Sequence, residues 1–400
     1  MSGQEFRRYD PERDREAATR IWREVGWVDK ERAEHVHEYI ECGRALVADL
    51  RGEAECLVIT APGTCRYLKE ELPFAGVTGV TTSRTARKQG FAGRLAARAI
   101  AEDAREGALV VGLGMFEQGF YNRLGFGTGG YEHWTRFDPA TLTVDAATRA
   151  PRRMSPEEWP AAHAARLARH RIHGGVNLTP EAITKGDLQD PNGFGLAYDD
   201  GPSGTLSHYL WMNAKNVESG PYNVQWLCYR TYGELMELLG LLKSLGDQVK
   251  SVEMAEPPGV QIQDLFATPF RRMTLTQKSE FECGIHARAF WQARLCDVPG
   301  CLARTHLPGR GLEFNLELAD PIEGFLAADS DWRGTSGSYV VSLGPDSWAE
   351  RGTNRALPTL RASTGAFTRL WLGCLSASSL AATDSLEGPP ELLEALDWAL

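Results

Sequence analysis

The run Arg87-Lys88-Gln89-Gly90-Phe91-Ala92 lies between an extended stretch, Val77-Thr78-Gly79-Val80-Thr81-Thr82, and an amphipathic one. β-Branched residues before it favour a strand. After it, Phe91, Leu95, Ala99 and Ile100 return at helical spacing until Gly107 ends the segment. A further apolar run over 108–113 reads as a second buried strand, so the order strand, turn, helix, strand commits this part of the chain to a crossover connection. With strands expected at 6–9, 45–50 and 55–60 and a helix at 14–24, the first segment predicts an α/β unit complete by Asp138.

Four hundred residues exceed what one hydrophobic core usually organises, and 42% hydrophobic residues suffice to fill several domains. Beyond an Arg-rich, Pro-containing connection at 149–156, a similar order returns: a helix at 156–169, strands at 195–199, 205–212 and 224–229, a helix at 233–245 and a strand at 249–255. This second segment reads as a copy of the first without its turn, since Tyr229-Arg230-Thr231-Tyr232-Gly233 lacks the glycine spacing. From about Phe290 the pattern changes to strands at 311–318, 324–328, 338–343 and 359–362, followed by helical segments, which predicts a separate α+β domain. Pro389 and Pro390 can open a last helix with Leu392, Leu393, Leu396 and Leu400 on one face. The boundaries this implies are 1–148, 149–288 and 289–400.

A formal net charge of −10 argues against a nucleic-acid backbone as partner and favours cationic ligands. Residues 384–400 sharpen that bias, with Asp384, Glu387, Glu391, Glu394 and Asp397 and no Lys or Arg. No run approaches a membrane span, and the first fourteen residues are charged, so the expectation is a cytoplasmic protein without membrane partners. Eight scattered cysteines without a C-x-x-C pair fit reduced thiols, and no metal is expected. His170 and His173, at i, i+3 spacing among Arg166, Arg169 and Arg171, read as a solvated helix face, because that basic setting repels a metal ion.

A helix N-terminus offers free N–H groups and a positive dipole end, so the turn at 87–93 can hold a diphosphate. Gly79 within the preceding strand suggests a bulge or close backbone approach, where a ligand could pair with open backbone groups. About thirty residues on stands a second motif, Phe120-Tyr121-Asn122-Arg123-Leu124-Gly125-Phe126. Through Arg87, Gly90 and Ala92, then Tyr121, Gly125 and Phe126, the chain resembles the GNAT family of acetyl-CoA-dependent N-acetyltransferases. Its whole arrangement resembles the enhanced intracellular survival (Eis) family: two tandem GNAT-like domains, the second degenerate, followed by a sterol-carrier-protein-like α+β domain.

That resemblance implies acetyl-CoA as co-substrate, bound by Val80, Thr81 and Thr82 together with Arg87, Lys88, Gln89, Gly90, Phe91, Ala92 and Gly93, with Phe116 and Glu117 also beside it. It implies a small cationic amine as acceptor, of aminoglycoside, polyamine or lysine type, and a homo-oligomer, specifically a hexamer. It also implies Tyr121 as general acid and the terminal carboxylate of Leu400 as general base. The chain departs from the family at Thr81-Thr82-Ser83, where an apolar, proline-containing sequence is more usual, and at Phe116-Glu117, where a small residue usually precedes Glu.

The chemistry explains why such groups are required. An amine of lysine type has a pKa near 10.4 and must lose a proton before attacking a thioester, whereas a free α-carboxylate, near 3.3 to 3.7, is a feeble base unless burial or a neighbour such as Asp397 raises it. The departing thiolate needs a proton, which a fixed tyrosine hydroxyl can supply. Backbone N–H groups near Thr81 and Thr82 would hold the oxyanion. Two alternatives stand beside this reading: Tyr121 as a core aromatic between Phe120 and Phe126, and a non-catalytic acyl-CoA or lipid-binding protein using the apolar face Phe367, Leu370, Trp371 and Leu375.

Overall fold

The computed structural model describes residues 5–28, 36–115, 117–145, 149–269, 276–309 and 311–400. They fall into two compact units: Met1–Gly130 with His173–Pro180 and Ala289–Leu400, and Tyr131–Ile172 with Glu181–Arg288.

In the first unit, Glu5–Arg8, Arg44–Leu50, Glu53–Tyr67 and Glu70–Thr82 form consecutive antiparallel pairs. Helix Phe91–Arg105 then carries the chain over to Val110–Gly114, which lies parallel to Glu70–Thr82. The parallel register is short, running from Phe74↔Val110 to Gly76↔Gly112, while Glu70–Thr82 continues for six more residues paired to Glu53–Tyr67. The two parallel strands therefore part beyond Gly76, leaving one backbone edge of 77–82 without a strand partner among the described residues. Thr78 is the extra residue of a bulge, because Ile59 pairs with Gly79 and Thr60 with Val77. The expected irregularity beside Gly79 is thus present, displaced by one residue.

The sheet is completed from the far end of the chain. Trp291–Leu295 pairs antiparallel with Val110–Gly114 on one side and with Gly127–Thr128 on the other. Trp291–Leu295 falls within 289–400, the stretch expected to form a separate domain, yet it is a strand inside the first sheet. The second unit has the same plan: Arg152–Met154, Gly193–Tyr198, His208–Ala214 and Tyr222–Cys228 in antiparallel order, helix Tyr232–Ser244 as crossover, and Val252–Ala255 parallel to Tyr222–Cys228. Its remaining strands are Glu132–Phe137 and Gly284–Arg288. Glu132–Phe137 precedes the boundary expected at 148, yet it lies in this second sheet. The first sheet also takes Val176–Leu178, antiparallel to Glu53–Tyr67, from the stretch expected as 149–288. Strands thus cross the expected boundaries in both directions: the alternation of side chains marks a strand but not its partner.

A third sheet, within the first unit, orders Trp348–Arg351, Gly337–Leu343, Leu312–Ala319, Thr359–Ser363 and Leu386–Glu387, with helices Thr364–Trp371, Ala377–Thr383 and Pro390–Ala399. The strand expected at 324–328 is absent there. Pro321–Phe325 is a 3₁₀ turn, capped by the Asp320 carboxylate accepting from the Ile322 N–H at 3.2 Å. One hydrophobic core joins this sheet to the first: Tyr67, Leu72, Phe74 and Val110 pack with Leu295, Phe314, Leu316 and Trp371. Phe367, Leu370 and Trp371 are core residues, whereas Leu375 is exposed.

The helix expected to carry His170 and His173 ends earlier, spanning Trp159–Ala168, since Arg169 is already extended. The His170 N–H donates to the Tyr229 carbonyl. The His173 ring bridges Leu68, whose N–H it accepts at 2.9 Å, and the Leu372 carbonyl at 3.0 Å. These histidines belong to loop connections rather than to a solvated helix face. No helix among the described residues is long and apolar enough to cross a membrane.

Candidate active site

The turn before helix Phe91–Arg105 is open. Gly90 is its N-cap residue in the left-handed conformation (φ 79°), and no side chain caps the helix. Lys88 is also left-handed (φ 61°). Turns of this kind gather N–H groups into an anion-binding concavity, and Arg87, Lys88, Gln89 and Gly90 are all exposed. Gln89 donates to the Thr85 carbonyl at 3.2 Å, and Arg94 lies 4.9 Å over the Phe6 ring, so the turn is braced from within. The equivalent helix of the second unit differs: the Thr231 hydroxyl accepts from the Glu234 N–H at 3.2 Å, and the Glu234 carboxylate accepts from the Arg230 N–H at 2.6 Å. Its N-terminus is occupied by its own side chains, while that at Gly90 is not.

Among the other residues expected around a cofactor, Phe91 is buried in the core, and Gly93 faces Phe325 so closely that a Cβ would lie 3.0 Å from that ring. The Thr81 hydroxyl turns inward to the Leu57 carbonyl at 3.5 Å and that of Thr82 meets the Cys56 sulfur at 3.3 Å. What 80–82 can present along the parted edge is therefore mainly backbone, with Val80 half-buried. Phe116 lies outside the described residues. The Glu117 carboxylate caps the next short helix by accepting the Gly119 N–H at 3.1 Å.

That helix, Gln118–Asn122, carries Tyr121, which is 4% exposed and meets Phe120 and Phe126 edge-on at 4.9 and 6.0 Å between ring centres. Burial, with a smaller contribution from the Glu117 charge, pushes its hydroxyl up to about 12, so it is protonated near neutrality. The Tyr121 carbonyl accepts from Leu124 N–H at 2.8 Å and Phe126 N–H at 3.3 Å, which closes the turn behind it.

Two residues that the sequence reading did not single out lie against this turn. Arg294 and Asp320 form an ion pair at 2.6 Å with both side chains wholly buried. Arg294 also donates to the Leu124 carbonyl. Gly125, left-handed at φ 80°, is packed onto the pair: a Cβ there would stand 2.8 Å from Asp320 Oδ1 and 2.9 Å from Arg294 Nη1. The glycine of the second motif is thus required by conformation and by close approach together. Asp320 is held below its ordinary range although burial opposes this, because the Arg294 charge and hydrogen bonds from Arg294, Thr335 and Ile322 outweigh desolvation. The available signal was an arginine between Ala293 and Leu295, in a stretch expected to open the C-terminal domain.

Leu400 closes helix Pro390–Ala399, its N–H donating to the Leu396 carbonyl at 3.0 Å. Its main-chain oxygen lies beside Gly373, 3.5 Å from where a Cβ would be. Adjacent Cys374 lies near the Gly130 backbone, and the Gly129 N–H donates to the Trp291 carbonyl at 2.8 Å, next to the far end of Val110–Gly114. No hydrogen bond joins Leu400 to Tyr121 among the described residues. Asp397, the neighbour expected to act on Leu400, accepts the Ser378 N–H at 2.9 Å and is held low by bonds to Ser378. A cavity of about 350 Å³ flanks the Tyr121 helix, lined by Gln118, Asn122 and Thr128 on one side and Ser363, Arg369 and Asp384 on the other.

In the second unit, Asp200, His208 and Glu237 bring possible ligand atoms within 4.8 Å of one another. Arg149 pairs with both carboxylates, so a cationic group already occupies that cluster.

A parted pair of parallel strands, an uncapped helix N-terminus and a buried tyrosine beyond the second strand define the class. Residues 5–129 match the acetyltransferase (GNAT) domain family, and this part of the chain is a GNAT acetyltransferase domain, which makes the protein an acyltransferase. Over its whole length the chain has an Eis-like fold. It is similar to Eis1 from Mycobacterium abscessus, with a TM-score of 0.75 at 19% identity over 99% of this chain and 97% of that one. A probable N-acyltransferase from Enterococcus faecalis V583 aligns with a TM-score of 0.79 at 16% identity over 100% of this chain and 97% of that one. A GCN5-related N-acetyltransferase from Anabaena variabilis gives 0.78 at 14% identity, covering 99% and 97%. No curated protein sequence matches the chain.

Proposed function

We propose that this protein transfers the acetyl group of acetyl-CoA to a primary amine of a small cationic acceptor of aminoglycoside, polyamine or lysine type. The observation that carries this reading is the open turn at Lys88 and Gly90 beside the parted strands of a GNAT domain. In this reading the backbone of Val80, Thr81 and Thr82 pairs with the cofactor and holds the oxyanion, while residues 87–93 receive the pyrophosphate. Tyr121 protonates the leaving thiolate, and the Leu400 carboxylate takes the proton from the attacking amine. A net charge of −10 favours a cationic acceptor. A sterol-carrier-like C-terminal region, a hexamer and a cytoplasmic location belong to the same reading.

The test is release of free CoA thiol from acetyl-CoA with a panel of polyamines, aminoglycosides and lysine peptides. Turnover with at least one amine is expected. Tight acetyl-CoA binding without thiol release from any amine would replace this reading with a non-catalytic acyl-CoA-binding protein. Adding a single glycine after Leu400 moves the carboxylate by one residue, or about 3.5 Å. The extended protein should bind acetyl-CoA normally and turn over roughly tenfold or more slowly, and undiminished kcat would remove Leu400 from the mechanism.

A further inference from the structure

The general acid of the proposed reaction lies on a helix of five residues, too short to hold its own orientation. Its position depends on the turn that follows, and that turn is gripped by a group from far along the chain. Arg294 Nη2 meets Asp320 Oδ2 at 2.6 Å, and Nη1 donates to the Leu124 carbonyl while lying 3.4 Å from Asp320 Oδ1. The guanidinium also stands 5.1 Å from the Trp332 ring. Asp320 is fixed in turn by the Thr335 N–H at 2.9 Å, the Thr335 hydroxyl at 3.0 Å and the Ile322 N–H at 3.2 Å. We infer that Arg294 and Asp320 are positioning residues for catalysis: through the Leu124 carbonyl and Gly125 they set where the Tyr121 hydroxyl stands.

Bonding alone favours this role over a purely structural one. The planar fork of Arg294 divides its donors between a carboxylate and one backbone carbonyl of the Tyr121 turn, a geometry lysine cannot reproduce. The pair touches neither the turn at 87–90 nor the parted strand edge among the described contacts, so cofactor binding should be independent of it. The inference rests on the reading of Tyr121 as general acid.

Arg294→Lys and Asp320→Asn are to be compared with wild type by kcat, by KM for acetyl-CoA and by the number of acetyl-CoA sites per chain, which normalises for misfolded protein. Both variants should lose about a hundredfold in kcat per binding site, the scale expected for a displacement of about 1 Å, with KM for acetyl-CoA nearly unchanged. In a Tyr121→Phe background the same substitutions should cost almost nothing further, because the group they position is gone. Wild-type kcat per site in either variant would overturn the inference. So would a multiplicative loss in the Tyr121→Phe background, which places the effect elsewhere while leaving the general acid intact. Full turnover by Tyr121→Phe alone would instead overturn the general-acid reading.

Discussion

Tyr121→Phe is expected to reduce kcat by roughly 10²–10⁴-fold, the range that a positioned general acid contributes, with acetyl-CoA affinity nearly intact. The substitution is clean because the Tyr121 ring is already a core element, edge-on to Phe120 and Phe126, and phenylalanine keeps those contacts. Stability should change by no more than about 1.5 kcal/mol, the net worth of one hydrogen-bonding group. The hydroxyl, pushed up to about 12 by burial and by Glu117, is protonated throughout the working range. The sign follows directly: a raised pKa keeps the acid form available as pH rises, so kcat of the wild type should show no alkaline limb from Tyr121 below about pH 10, the ordinary value for tyrosine. The measurement is kcat and acetyl-CoA affinity for both proteins between pH 6 and pH 10. A Tyr121→Phe enzyme with wild-type kcat would reduce Tyr121 to a core aromatic.

The second large effect concerns the boundary at 148. A fragment of residues 1–148 contains every residue of the matched acetyltransferase segment, yet it should fail to fold. Without Trp291–Leu295, the strand Val110–Gly114 loses its neighbour on one side, and Gly127–Thr128 loses the one strand that pairs with it among the described residues. The core around Tyr67, Leu72, Phe74 and Val110 also loses Leu295, Phe314, Leu316 and Trp371. Uncovering large apolar side chains costs roughly 1.5–3 kcal/mol each, so the loss approaches the whole net stability of a domain, about 5–15 kcal/mol. Circular dichroism and thermal melting of the fragment should show no cooperative transition. A fragment that melts cooperatively and binds acetyl-CoA would show that the exchanged strand is dispensable.

The molecule is unevenly legible in its sequence. The strand–turn–helix around Gly90 was legible because its signals are local: a β-branched run, a glycine where the backbone turns left-handed, and apolar residues at helical spacing. The likeness of the second segment to the first was legible for the same reason. A strand at 324–328 was expected and is not present, because the proline at 321 and the capping aspartate at 320 convert that stretch into a 3₁₀ turn. His170 and His173 have the i, i+3 spacing of a helix face, but the helix ends at Ala168 and both lie in loop connections.

Partnership was the part that could not be read. Nothing in the alternation of Trp291–Leu295 says that it pairs with Val110–Gly114, 180 residues earlier, or that Glu132–Phe137 pairs with Val252–Ala255. Local propensity and periodicity belong to each segment alone, so by themselves they determined the elements, the open turn at Gly90 and the tyrosine motif of Tyr121. Which strands share a sheet depends on long-range burial and backbone pairing summed over the whole chain. Only the tertiary structure decided that Arg294 stands behind Tyr121 with Asp320, because a wholly buried charge must find its counter-charge in space, wherever in the sequence that residue lies.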